Sequence, residues 1–221
     1  METLLQEHDF KLLKRVGTLI GIDEVGRGAL AGPVFTAACL LNKALFEDKA
    51  QLAQTSIMRD SKKMSEKKRL SAFSTLVELK EAGLIDYAIT SASVKEIDQK
   101  NISGATLLSM KRSLSTLITR IDPAADYSIL IDGKPLPLSI FPYPHKNIIG
   151  GDDRSLSIAM ASILAKVSRD AYMKSLDARF PGYGFAQNKG YGTKCHRQSV
   201  LAKGSCPAHR PLFLRKILQK A

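Results

Sequence analysis

The stretch L-I-G-I-D-E-V-G-R-G-A-L-A-G-P-V-F-T-A-A-C-L-L, residues 19–41, decides how this chain is read. Leu19 to Asp23 is the short apolar run of a buried strand, and it ends on adjacent acids, Asp23 and Glu24. Gly26-Arg27-Gly28 turns the chain, and Val34 to Leu41, nearly all apolar, reads as the next strand. A strand that stops at carboxylates beside a glycine turn presents those side chains where a sheet opens to a ligand.

Outward from this core the pattern alternates. Ser65 to Lys80 reads as a helix capped by Ser65, and Leu84 to Ala92 as a strand. Leu107, Met110, Leu114, Leu117 and Ile121 fall three or four apart, predicting a helix from Gly104 to Arg120. Tyr127 to Ile131 is a compact strand stopping at Asp132-Gly133, and Pro135 to Pro144 is loop or irregular edge. Arg154 to Phe180 is helical, with Ile158, Ala161, Ala165 and Tyr172 on one stripe. Beyond Pro181 the chain is basic and glycine-dotted, with one or two helices expected. The fold class is α/β: a mixed central sheet flanked by helices, with a small helical C-terminal appendage. Residues 1–180 are expected to form the catalytic domain, and 181–221 an appendage that completes a substrate groove.

Composition narrows the function classes. The longest nearly apolar run, Val34 to Leu41, is too short to span a bilayer. Met1 to Phe10 lacks the basic-then-apolar pattern of an export signal, so a cytoplasmic protein is expected; a monomer is expected as well. Three cysteines, an odd number, argue for reduced thiols. Cys195-His196 with Cys206-x-x-His209 is poor zinc spacing, because adjacent side chains diverge. Charge says more: 33 Lys+Arg against 21 Asp+Glu leave +12. No acid follows Asp177, while Arg179, Lys189, Lys194, Arg197, Lys203, Arg210, Arg215, Lys216 and Lys220 do. A second knot comprises Arg59, Lys62, Lys63, Lys67, Lys68 and Arg69. Cations segregated in this way suit a nucleic-acid backbone.

Asp132 also ends a strand before glycine, and Asp152 follows Ile148-Ile149-Gly150-Gly151. Neighbouring strand residues face opposite sides, so Asp23 and Glu24 share one site only where the strand distorts. Four gathered carboxylates repel unless cations neutralise them, and hard oxygens suit Mg²⁺ or Mn²⁺. Two such ions about 4 Å apart could bind a scissile phosphate and activate a water.

G-I-D-E-V-G-R-G-A-L-A-G-P-V at 21–34 resembles the signature of bacterial ribonuclease HII. The resemblance continues through D-S-K-K-M-S at 60–65, I-D-G at 131–133, G-D-D-R, and S-I-L-A-K-V-S-R-D at 162–170. It extends through Y-G-F-A-Q-N-K-G-Y-G-T at 183–193 and H-R at 209–210. It implies that Asp23, Glu24, Asp132 and Asp152 are catalytic metal ligands for Mg²⁺ or Mn²⁺. It implies that Gly26, Arg27 and Gly28 contact the ribose 2′-hydroxyl, the group that separates RNA from DNA. Tyr191 would pack on the following sugar and read an RNA-to-DNA junction, while Ser61, Lys62 and Lys63 look like phosphate contacts. Lys166, Arg169 and Asp170 read as structural support, and His196 and His209 as local hydrogen-bonding groups in preference to phosphate contacts. The implied substrates are RNA–DNA hybrids and duplex DNA containing ribonucleotides, cut to a 3′-hydroxyl and a 5′-phosphate.

The chain departs from the pattern in three places. Gly150 stands where many members carry lysine, Asp153 adds an acid beside Asp152, and H-R-P-L-F replaces H-R-R-S-F. The alternatives are a ribonuclease HIII-like enzyme, a catalytically silent nucleic-acid-binding protein, and a small-molecule phosphatase. The first usually carries an extra N-terminal domain and lacks arginine between the two glycines. The second needs no carboxylates, and the third no basic surface.

Overall fold

The computed structural model describes residues 3–135 and 141–218. Five strands, β1 (Thr18–Val25), β2 (Val34–Asn42), β3 (Ile85–Ala92), β4 (Tyr127–Asp132) and β5 (His145–Ile148), form one sheet in the order β3-β2-β1-β4-β5. β1 pairs antiparallel with β2 and parallel with β4, so the expected mixed sheet is what forms. The helices are α1 (Leu4–Leu13), α2 (Lys43–Glu47), α3 (Lys49–Gln54), α4 (Glu66–Glu81), α5 (Val94–Ile118), α6 (Leu156–Arg179), α7 (Phe185–Asn188), α8 (Lys194–Lys203) and α9 (Pro211–Leu218).

Strand parity sorts β1 between two cores. Leu19 and Val25 pack with α1, α4 and α6, whereas Ile20 and Ile22 pack with α5 and β4. The α6 side is tight at Gly21, where a Cβ would stand 2.2 Å from the Ser157 backbone. Glycine there lets the helix lie directly on the central strand. From Leu156 to Ala165 every residue of α6 is buried. The expected single stripe is therefore corrected: the first half of α6 is enclosed on all sides, and Tyr172 is exposed beside the Phe35 ring.

Ser65 caps α4 as expected, its hydroxyl accepting from the Lys68 N–H. The helix expected from Gly104 begins earlier, at Val94, with a Ser93/Glu96 capping box. Asn101 breaks it at φ 55°, and its side chain accepts from the Ser103 and Gly104 N–H groups, starting the second half where the apolar spacing begins. α1 escapes an apolar-periodicity reading because it buries polar groups. Gln6 donates to the Leu52 carbonyl and the Thr55 hydroxyl, and Asp9 accepts from Ser155 and the Ser157 N–H. Of the expected loop Pro135–Pro144, residues 136–140 lie outside the described residues, and 141–144 are irregular.

The C-terminal segment holds three helices among the described residues, not one or two. Its core of Tyr183, Phe185, Val200, Ala208 and Leu214 packs on Leu30, Ala31, Met173 and Leu176. His196 and His209 are buried within it. Burial first, then His196, pulls His209 down to about 4 from its ordinary 6.5. Above pH 6.5 the ring is neutral in both states. As pH falls from 6.5 to about 4 the unfolded chain takes up the proton first, so stability is lost across that window, up to about 3 kcal/mol. Unfolding midpoints in denaturant at pH 7 and 4.5 should diverge more for the wild type than for His209→Asn, which lacks the titrating ring.

Candidate active site

β1, β4 and β5 run parallel and end together, and the expected acids lie at that edge. Asp23 is on the α6 face of β1. Asp132 is the last residue of β4, and Asp152 sits in a 3-10 turn, Gly151–Asp153, between β5 and α6. Carboxylate oxygens of Asp23, Asp132 and Asp152 lie within 4.8 Å of one another. Residues distant in the chain thus converge.

The backbone organises this edge. Asp132 Oδ1 accepts from the Gly151 N–H at 2.7 Å, tying β4 to the turn that carries Asp152. Asp23 Oδ1 accepts from the Glu24 N–H at 2.7 Å, and Ser162 on α6 hydrogen-bonds its carboxylate. Burial pushes the Asp23 carboxyl well above its ordinary range, with Glu24 and Asp132 adding to it. Asp152 is pushed up to about 6, by burial first, then by Asp60 and Asp132. Both the loss of solvation and the repulsion among these acids are what a divalent cation relieves, and the donor set is entirely hard oxygen. The residues fit Mg²⁺ or Mn²⁺.

Glu24 stands apart from these three. β1 stays regularly paired with β2 through Val25, so the distortion expected to bring Asp23 and Glu24 to one side does not occur. Glu24 falls on the α5 face instead, its Oε1 3.3 Å from Arg27 Nη1. It borders a cleft of about 500 Å³ with Arg27, Thr106, Met110, Asp132 and Gly133. Burial raises its pKa, outweighing Arg27. Asp132 is thus flanked by an acid from each face of β1.

Lys62 is exposed at the rim beside the carboxylates; desolvation works against its charge, but Asp23, Asp152, Asp60 and Asp132 together raise its pKa. Lys63 is exposed and forms an ion pair with Asp153. Asp153 therefore points to the rim while Asp152 points inward. Ser61 is buried, its hydroxyl 2.9 Å from that of Ser162, so it reaches Asp23 through Ser162 rather than facing solvent. Among the described residues the second converging set of possible ligands is Asp60, Asp152 and Asp153, and the cysteines and histidines form no such group.

The glycine turn is held by two arginines. Gly26 has φ +92°, and a Cβ there would meet Arg169 Nε at 2.1 Å. Arg169, fully enclosed, donates to the carbonyls of Pro33, Ala31 and Lys189. Arg210, equally enclosed, donates to those of Gly32 and Arg27. Arg210 is thus not one of the surface cations that the basic C-terminal run suggests; burial, then Arg169, lowers its pKa to about 9. The Gly190 carbonyl accepts from the Leu30 N–H at 2.8 Å, which sets Tyr191 beside the turn, its ring 5.3 Å from the Arg169 guanidinium. Gly28 has open space where a side chain would project. Sequence reasoning missed Ser162, Asp60 and Arg210. The small polar Ser162 inside the apolar half of α6 was the signal available for the first.

Converging acids at the carboxyl edge of a mixed sheet, ringed by lysine and arginine, define a metal-dependent hydrolase of phosphodiesters. The sequence model of the family described as ribonuclease HII matches residues 20–216. A ribonuclease HII from Syntrophotalea carbinolica is 46% identical over 196 residues, covering 88% of this chain and 84% of that protein. The ribonuclease H2 of Pyrococcus horikoshii OT3 shares the fold with a TM-score of 0.70, at 20% identity, covering 92% of this chain and 98% of that one. A Bst-RNase HIII in complex with Mn²⁺ matches with a TM-score of 0.64 at 22% identity, covering 92% of this chain and 70% of that one. The chain belongs to the ribonuclease HII family.

Gly26→Ala combines a positive φ with a Cβ inside the Arg169 side chain. It should cost about 2 kcal/mol or more in thermal unfolding and reduce nuclease turnover, whereas Gly28→Ala should leave stability nearly unchanged.

Proposed function

We propose that this protein hydrolyses the RNA strand of RNA–DNA hybrids and cuts 5′ of ribonucleotides embedded in duplex DNA, leaving a 3′-hydroxyl and a 5′-phosphate. The observation that carries this reading is the meeting of Asp23, Asp132 and Asp152 beside a glycine turn to which the Tyr191 segment is hydrogen-bonded. Asp23, Glu24, Asp132 and Asp152 would hold Mg²⁺ or Mn²⁺, which supplies an activated water and charge neutralisation at the scissile phosphate. Mn²⁺ in the similar ribonuclease HIII supports that metal class.

The chain's own groups divide the remaining tasks. Main-chain groups at Gly26 and Gly28 approach the ribose 2′-hydroxyl, and Arg27 lies over the adjoining backbone. The Tyr191 ring packs on the next sugar and favours deoxyribose there. Lys62 and Lys63 take phosphates on the side of α4, and Lys63 exchanges Asp153 for phosphate when substrate binds. Residues 181–221 complete the groove, with Lys189 and Lys194 bringing positive charge beside Tyr191. Arg27 between two glycines favours this reading over a ribonuclease HIII-like one, and the converging carboxylates favour it over a silent binder. No helix among the described residues is long and apolar enough to cross a membrane. The protein would act on nucleic acid as a monomer in the cytoplasm.

Asp132→Asn should abolish cleavage of a duplex with one embedded ribonucleotide, by at least about a thousandfold, while binding persists in a mobility-shift assay. Undiminished cleavage would remove Asp132 from the reaction. Adding a chelator should stop the wild-type enzyme, and Mg²⁺ or Mn²⁺ should restore it. Tyr191→Ala should impair single-ribonucleotide substrates about tenfold more than long hybrids; equal losses would refute junction reading.

A further inference from the structure

Behind Tyr191 lies a hydrogen-bonded chain that the proposed reaction leaves unused. The Cys206 N–H donates to His209 Nδ1 at 3.0 Å, His209 Nε2 lies 3.1 Å from His196 Nε2, and His196 Nδ1 lies 2.9 Å from the Tyr191 carbonyl oxygen. The first bond fixes the rest. An amide N–H only donates, so His209 Nδ1 is bare and the ring proton sits on Nε2. That proton points at His196 Nε2, which must accept it. The His196 proton is left on Nδ1, aimed at Tyr191.

The pair is enclosed, His196 being 0% and His209 3% exposed. The Phe185 ring meets both imidazoles, and Tyr183 meets His209 edge-on at 4.8 Å. Tyr191, by contrast, sits between α7 and α8 in a segment with no regular structure, entered through Lys189 at φ 51° and Gly190 at φ 79°. Ties from outside therefore decide where its ring goes. On one side the Gly190 carbonyl binds the Leu30 N–H. On the other, the Tyr191 carbonyl takes the local Thr193 N–H and the imidazole Nδ1–H of His196, and the Arg169 guanidinium lies 5.3 Å from the ring itself.

We propose that His196, locked in one tautomer by His209, is the positioning residue for Tyr191, fixing the ring that reads the sugar beyond the ribonucleotide. This rests on the role given to Tyr191 above. His196 touches no substrate; it anchors the back of the turn whose front is bonded to the sugar-sensing loop. Losing the bond frees the ring without removing it, so hybrids should still be cut while junctions are read less well.

The test uses the full chain labelled with 3-fluorotyrosine, the Tyr191 resonance being assigned through Tyr191→Phe. His196→Phe keeps a flat ring in the box and removes the donor, whereas His196→Asn returns an N–H near the Nδ1 position. The Tyr191 resonance should move in His196→Phe and return towards the wild type in His196→Asn. Cleavage of a single-ribonucleotide duplex relative to a long hybrid should fall about fivefold in the first, the value of one net hydrogen bond, and recover in the second. If His196→Phe does not fold, His196→Gln reads the same bond, because its amide reaches the Nε2 position but not Nδ1. A resonance unmoved in a folded variant lacking the donor overturns the proposal, as does equal disturbance by Phe and Asn. If the resonance moves and is rescued while both substrates decline in parallel, His196 positions Tyr191 and the junction-reading role of Tyr191 is what fails.

Discussion

Mutual repulsion among three carboxylates is the constraint around which the structure is arranged. Asp23, Asp132 and Asp152 bring oxygens within 4.8 Å in a partly buried corner, an arrangement the chain by itself resists. Each acid is accordingly fixed by rigid backbone: Asp132 by the Gly151 N–H, Asp23 by the Glu24 N–H and Ser162, and Asp152 by the turn that opens α6. α6 in turn is seated by Gly21, by Ser155 at its N-terminus and by the Asp9 carboxylate from α1. Lys62 brings positive charge to the same corner. A cation bound there would complete the balance.

A second arrangement lies beside the first. Arg169 and Arg210 are enclosed, and their described hydrogen bonds go to carbonyls of residues 27–33 and 189. Those carbonyls are drawn inward, and the arginines join the glycine turn, α6 and the C-terminal segment into one unit. Gly26 is required here for packing as much as for its backbone angle, since any side chain would occupy the space of Arg169. The glycine turn and the turn that carries Tyr191 are thereby set at a fixed separation, as the proposed selection of sugar identity at two adjacent nucleotides would need.

Much of this was legible in the residues. β1, β2, β3 and β4 follow apolar runs bounded by glycine or acid, and α4 starts at the serine that caps it. α1 and the first half of α5 were not legible, because the former buries Gln6 and Asp9 while the latter is marked by a capping box rather than apolar spacing. Three site residues read differently once folded. Ser61 is turned inward, Glu24 lies on the opposite face from Asp23, and Arg210 is buried. Ser61 and Arg210 are turned inward by partners 101 and 183 residues away, and the facing of Glu24 depends on how its strand pairs, so spacing alone does not reveal them.

The sequence by itself determined the class: strands ending in acids, the glycine–arginine–glycine turn and a basic carboxyl-terminal run are local properties, written in residue type and order. Only the tertiary structure decided which acids converge, because strand parity sends Asp23 to the α6 side and Glu24 to the α5 side of one regular strand. It likewise decided that Asp152 rather than Asp153 turns inward, and that two histidines thirteen residues apart are hydrogen-bonded behind Tyr191. Those outcomes depend on distances between segments remote in the chain, and such distances exist only after the sheet and α6 have packed.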